Sequence, residues 1–136
     1  MTGAAAEALC EAWSALGALG LNRGATGNLS VREGLGFRIT PSGARAGSLT
    51  PAQTIPMALD GSLPSQGRPS SEWSLHLALY RARPDAGAVV HTHSPEATAL
   101  ACLRRPLPSF HYMVAVAGGP DVRCAPYHPY GSEALA

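Results

Sequence analysis

The stretch "SSEWSLHLALYRARPDAGAVVHTHSPEAT" (70–98) constrains the fold more than any other part of the chain. Ser70 or Ser71 can cap a helix over about 71–82, and Pro84 forces that helix to stop. A short apolar run, Ala88-Val89-Val90, follows at once. Within "AGAVVHTH" (86–93) it predicts a buried strand that returns along the helix. Ser94 and Pro95 then cap and open a second helix over 95–104. A helix, a tight return and a strand in so few residues leave little choice but a layered α/β arrangement.

The rest of the chain is read around that unit. Thr2 is a plausible N-cap for a helix over 3–19, with Ala5, Leu9, Trp13 and Leu16 at helical spacing and Gly20 as its stop. Residues 21–27, "LNRGATG", form a glycine-rich loop. "NLSVRE" alternates as a strand, with Leu29 and Val31 on one face and Asn28, Ser30 and Arg32 on the other. "FRIT" is its returning partner. "TIPMALD" is a third strand, placed at an edge by Pro56. "HYMVAVAGG" fits helix or strand, "VRCAPY" reads as a strand, and "GSEALA" as the start of a helix.

Composition narrows the chemistry. The 136 residues are 46% hydrophobic with a formal charge of +1. That suits one folded domain and offers no basic stripe for nucleic acid. All ten positive residues are Arg. With no Lys, any carbonyl chemistry must proceed without a lysine Schiff base, using another electron sink such as a metal ion. Cys10, Cys102 and Cys124 match no paired motif and are read as small buried hydrophobes in a reducing cytoplasm. No apolar run is long enough for a membrane span, and Met1 is followed by no positively charged leader region. The expectation is a cytoplasmic protein.

The candidate chemistry centres on His91 and His93. They are either ordinary histidines at a strand edge or two corners of a metal site, since residues i and i+2 of a strand share a face. Zinc takes imidazole and carboxylate ligands but needs more than two. If helix and strand are antiparallel, Glu72 at the helix start falls beside the strand's end and becomes the candidate carboxylate. The alternative for Glu72 is a capping or first-turn glutamate favoured by the helix dipole. His76, one turn on, is read as a packed or hydrogen-bonded helix residue. "TGN" (26–28), "PSG" (41–43) and "SS" (70–71) supply hydroxyls and exposed N–H groups of the kind that cradle phosphate.

In their order and spacing, "GLNRGATGNLSVR", "ITPSG", "RPSSEWSLH", "RPDAGAVVHTHSPEATA", "PSFHYMVAVAGG" and "RCAPY" resemble the class II aldolase/adducin family, and most nearly its bacterial branch acting on L-fuculose 1-phosphate. The resemblance runs from about residue 10 to residue 133. It implies a three-layer α/β/α sandwich around a mostly antiparallel central sheet, here a single domain over 1–136 that is incomplete at its C-terminus. It also implies a Zn2+ enzyme and homotetramer that reversibly cleaves a ketose 1-phosphate to dihydroxyacetone phosphate and an aldehyde. Carried over by position, His91 and His93 match zinc ligands. Glu72 matches a carboxylate that is ligand and acid/base in turn. Gly27, Asn28, Ser42, Gly43, Ser70 and Ser71 match phosphate-binding positions, and Tyr112 matches a tyrosine reaching the aldehyde end of the substrate. The family's third zinc histidine has no counterpart in the sequence, while His111 and His128 are read as structural or solvent-facing. The same scaffold also serves sugar-phosphate epimerases, decarboxylases and dehydratases, and a non-catalytic, adducin-like role is the remaining alternative.

Overall fold

The computed structural model describes residues 3–45 and 47–136. The element order is α1 (Ala4–Ala18), β1 (Asn28–Glu33), β2 (Gly36–Ile39), β3 (Ile55–Ala58), α2 (Trp73–Ala82), β4 (Ala88–His91) and α3 (Pro95–Cys102). Short 3-10 turns stand at Pro51–Gln53, Tyr112–Ala117 and Glu133–Leu135. Two compact units result. One comprises the described residues up to Thr92 with His128–Ala136, and the other is His93–Tyr127.

The first unit is built on a four-stranded sheet of order β3-β2-β1-β4, antiparallel at every pairing. The alternation in "NLSVRE" gives this sheet two buried faces. Leu29 and Val31 pack with Leu9 and Trp13 of α1. On the opposite face, Phe37, Ile39, Ile55 and Met57 pack with Leu77 and Tyr80 of α2. Helix, sheet and helix thus form three layers, as expected of the fold class. Each layer removes its apolar stripe from water at roughly 25 cal/mol per Å². Trp13 is fully buried, and its indole N–H donates to the Arg45 carbonyl at 3.0 Å. Pro56 does lie on an edge strand, where its missing N–H costs the sheet nothing.

Several local expectations need correction. β4 covers only Ala88–His91, it is an edge strand, and its burial alternates between exposed and intermediate. It ends there because β1, its one partner among the described residues, reaches no further. Asn28 pairs with His91, and Gly27 beside it has φ +74, which no strand continues through. "VRCAPY" forms no strand; an isolated bridge joins Leu107 to Val122. "HYMVAVAGG" resolves into the 3-10 turn Tyr112–Ala117, and "GSEALA" into one short 3-10 turn. The cysteines are free but not buried, and Cys102 is exposed. The proposed cap Thr2 lies outside the described residues, and Gly3 occupies the N-cap position of α1. Ser94 takes the N-cap position of α3 without a side-chain cap hydrogen bond.

The second unit carries α3 and the Tyr112–Ala117 turn. Val114 is its one buried hydrophobic residue among those described, whereas Leu103, Phe110, Tyr112, Met113 and Val116 are exposed. Among the described residues no helix is long and apolar enough to cross a membrane.

Candidate active site

Three small-residue loops gather at one end of the first unit's sheet. Gly27 and Asn28 open β1, Ser42 and Gly43 follow β2, and Ser70 and Ser71 precede α2. Backbone hydrogen bonds tie the last two loops together: Ser70 N–H donates to Thr40 O at 3.0 Å, and Ser42 N–H to Arg68 O at 2.9 Å. Thr40 is joined in turn to β1, its hydroxyl accepting from Leu29 N–H at 3.2 Å.

Glu72 stands at the N-cap of α2, the position expected of Ser70 or Ser71, so the helix begins at Trp73. Its N–H donates to Ser70 Oγ at 3.3 Å, which seats the helix start on the serine loop. Its carboxylate reaches the end of β4, with Oε2 lying 3.0 Å from His91 Nδ1. The same oxygen accepts from Asn28 Nδ2 at 2.7 Å. Helix start and strand end meet because the return through Pro84-Asp85 is short and α2 and β4 run in opposite senses.

Asn28 is central to this arrangement. It is 3% exposed, and its side-chain oxygen lies 2.5 Å from His76 Nε2 and 3.3 Å from His91 Nδ1. The Asn28 side chain is therefore turned into the protein and engaged there. His76 is fully buried, and its Nδ1 lies 2.6 Å from Ser30 Oγ. Ser30 Oγ in turn lies 2.9 Å from Tyr80 Oη. Arg32 closes the row: its Nε donates to the Ala86 carbonyl at 2.8 Å, and its guanidinium lies 4.6 Å from the centre of the Tyr80 ring.

The reason is periodic. Glu72, His76 and Tyr80 are four apart on one stripe of α2, and Asn28, Ser30 and Arg32 are two apart on one face of β1. Four helical residues rise about 6 Å and two strand residues about 6.6 Å, so the two polar rows stay in step. Sequence reasoning placed Asn28, Ser30 and Arg32 on a common face but did not connect them with Glu72, His76 and Tyr80. The double spacing was the available signal. Asn22 was also missed: its side chain is buried, and neither amide atom has a hydrogen-bond partner among the described residues.

Burial holds His76 neutral. Desolvation first, and the neighbouring His91 second, lower its pKa from 6.5 to about 4. An unfolded chain takes up that proton near pH 6.5, whereas the folded chain resists it until about pH 4. The His76 contribution to stability is therefore complete above pH 6.5 and is lost as pH falls from there toward 4. The expected loss is about 3 kcal/mol at most. Urea midpoints should fall over this window in the wild-type chain and stay flatter in His76→Gln; parallel curves would remove His76 as the cause.

The carboxylate oxygen and imidazole nitrogen of Glu72 and His91 are donors of the types zinc takes. They sit on ordered elements and face each other, so they fit as two members of a ligand set. Among the described residues no group of three or more His, Cys, Asp or Glu is placed to hold a metal ion. His93 lies past the end of β4, in irregular backbone, so the shared strand face expected of the two histidines does not apply. It belongs to the second unit with Tyr112, which is 79% exposed, its ring centre 4.3 Å from that of His111.

The sequence profile of the class II aldolase and adducin N-terminal domain matches residues 7–136. The chain belongs to this family. A 5-methylthioribulose-1-phosphate/5-deoxyribulose-1-phosphate aldolase of Rhodospirillum rubrum is 52% identical over 118 residues, covering 87% of this chain and 53% of that protein. The L-fuculose phosphate aldolase of Escherichia coli strain K12 is 45% identical over 118 residues, covering 87% and 55%. A solved L-fuculose 1-phosphate aldolase superposes with a TM-score of 0.88 at 40% identity, covering 96% of this chain and 63% of its own. The family member described here thus spans about half the length of the curated relatives it matches. Those relatives are named aldolases, that is, lyases.

Proposed function

We propose that this class II aldolase-family chain carries the acid/base carboxylate and part of the zinc site of a cytoplasmic enzyme. The reaction is reversible cleavage of a ketose 1-phosphate to dihydroxyacetone phosphate and an aldehyde. The observation that carries this reading is the meeting of Glu72 with His91 beside three small-residue loops. The relatives support it, being aldolases of 5-methylthioribulose 1-phosphate, 5-deoxyribulose 1-phosphate and L-fuculose phosphate.

Glu72, His91 and His93 would hold the metal, with the family's third histidine outside this sequence. When bound, zinc supplies Lewis-acid polarisation of the substrate carbonyl. The remaining work falls to the chain. Gly27, Ser42, Gly43, Ser70 and Ser71 grip the phosphate, Asn28 contributes through the backbone at the same position, and that grip fixes where the reacting carbons lie. In the cleavage direction the C3–C4 bond breaks and the C4 hydroxyl loses its proton as the aldehyde forms. Glu72 returns a proton to C3, and removes it in the condensation direction. Tyr112 exchanges the proton at the aldehyde oxygen. Its exposure, shared with Phe110 and Met113, suits a residue at a subunit boundary of a homotetramer.

Proton exchange tests this reading without the aldehyde. With zinc supplied in D2O, the chain should exchange one C3 proton of dihydroxyacetone phosphate stereospecifically, followed by proton NMR. A chelator should abolish the exchange and added zinc restore it. No exchange above the zinc-only blank, or exchange indifferent to the chelator, would defeat the proposal.

A further inference from the structure

The hydrogen bonds beneath Glu72 run in one direction only. Ionised Glu72 accepts and cannot donate, so the Asn28 amide must present its nitrogen to Oε2 and its oxygen to His76. That oxygen accepts only, so His76 must carry its proton on Nε2. Nδ1 of a neutral His76 is then bare and must accept from the Ser30 hydroxyl. Ser30 Oγ, having donated, accepts from Tyr80 O–H. The protons of the Tyr80 and Ser30 hydroxyls and of the His76 ring are thereby assigned, from α2 through β1 to the carboxylate.

We infer that Tyr80, Ser30, His76 and Asn28 form a one-way hydrogen-bond relay in which Ser30 and His76 are positioning residues. They hold the Asn28 amide in the single orientation that presents a donor to Glu72. The inference rests on the proposed role of Glu72 for its catalytic consequence, but not for its geometry. Ser30, His76 and Tyr80 are essentially inaccessible to solvent, so none can touch substrate. Water cannot reach them to substitute for a lost partner, which makes an inverted amide costly only while the relay is whole. If Ser30 no longer donates to Nδ1, the imidazole can move its proton to that nitrogen. Asn28 can then rotate its amide and turn an oxygen toward the carboxylate.

Two readouts test this on the full chain. The first needs no activity: nitrogen-15 NMR of the imidazole rings in the metal-free protein at pH 7. His76 should show a protonated Nε2 and a bare Nδ1. The Asn28 side-chain NH2 should exchange slowly with solvent. Ser30→Ala should mix the two tautomers and speed that exchange, while His76→Gln, whose amide also donates on one side and accepts on the other, should keep the Asn28 protons protected. The second readout is kinetic. In the zinc-loaded chain, Ser30→Ala should slow dihydroxyacetone phosphate proton exchange by about 10–100-fold with the KM within about two-fold, and His76→Gln should recover most of the rate. A His76 ring protonated on Nδ1, or on both nitrogens, overturns the relay. So does a Ser30→Ala chain with unchanged tautomer and unchanged Asn28 protection. Should Ser30→Ala fail to fold, Tyr80→Phe keeps the packing and must loosen the Asn28 protons if the relay is correct. A wild-type chain with the expected tautomer and no proton exchange refutes the aldolase reading while sustaining the relay.

Discussion

Glu72→Gln is expected to lower proton exchange on dihydroxyacetone phosphate by about 10²–10⁴-fold, the usual contribution of a positioned general base, while leaving the fold intact. The structural half of that expectation comes from one atom. Asn28 Nδ2 and His91 Nδ1 both approach the same carboxylate oxygen, Oε2, at 2.7 and 3.0 Å. A glutamine can put its carbonyl oxygen in that place and accept from both, with its NH2 taking the position of Oε1. What it cannot do is take a proton from carbon. Thermal melts should therefore overlay while exchange collapses, and phosphate should still protect the variant against unfolding. Exchange at more than a third of the wild-type rate would remove Glu72 as the base. A melt lowered by many degrees would instead make the carboxylate a structural group.

Gly27→Ala should be strongly destabilising for a single methyl group, costing about 3–5 kcal/mol. Gly27 sits at φ +74, a conformation L-residues adopt at a cost of roughly 1–2 kcal/mol. A Cβ there would also lie 2.6 Å from the His91 carbonyl oxygen and press on the Asn22 side-chain oxygen. Backbone must move, and the backbone that moves is the end of β4. Because Asn28 and His91 are register partners, the displacement pulls His91 away from Glu72. Gly43→Ala is the matched comparison: φ is +75, yet a Cβ would meet nothing within 4 Å, so only the conformational cost of roughly 1–2 kcal/mol applies. Urea denaturation of the two variants separates strain from collision. Equal losses would mean that the close approach of Gly27 to His91 contributes nothing.

The small-residue loops, the helix that follows the double serine and the two-faced strand "NLSVRE" could all be read from the sequence, because each depends on local rules of spacing and turn chemistry; the cap itself falls to Glu72 rather than to Ser70 or Ser71. The pairing of Glu72 with His91 was legible for a related reason: a short return from helix to strand leaves few ways for the two ends to lie. The length of β4 was not, since a strand extends only as far as its neighbour does, and Gly27 ends that neighbour from far along the chain. Nor was the burial of the cysteines, which depends on what packs over them.

Asn28 marks the boundary between the two kinds of knowledge. By itself the sequence determined that Asn28, Ser30 and Arg32 share one face of a strand, because side chains alternate there whatever lies opposite. Only the tertiary structure decided that this face meets Glu72, His76 and Tyr80. The polar side chains of the two rows then bond to one another, and the Asn28 amide serves the carboxylate rather than solvent. Which helix packs on which face, and at what register, is set by burial summed over the whole domain; the rise of four helical residues against two in a strand only permits the match.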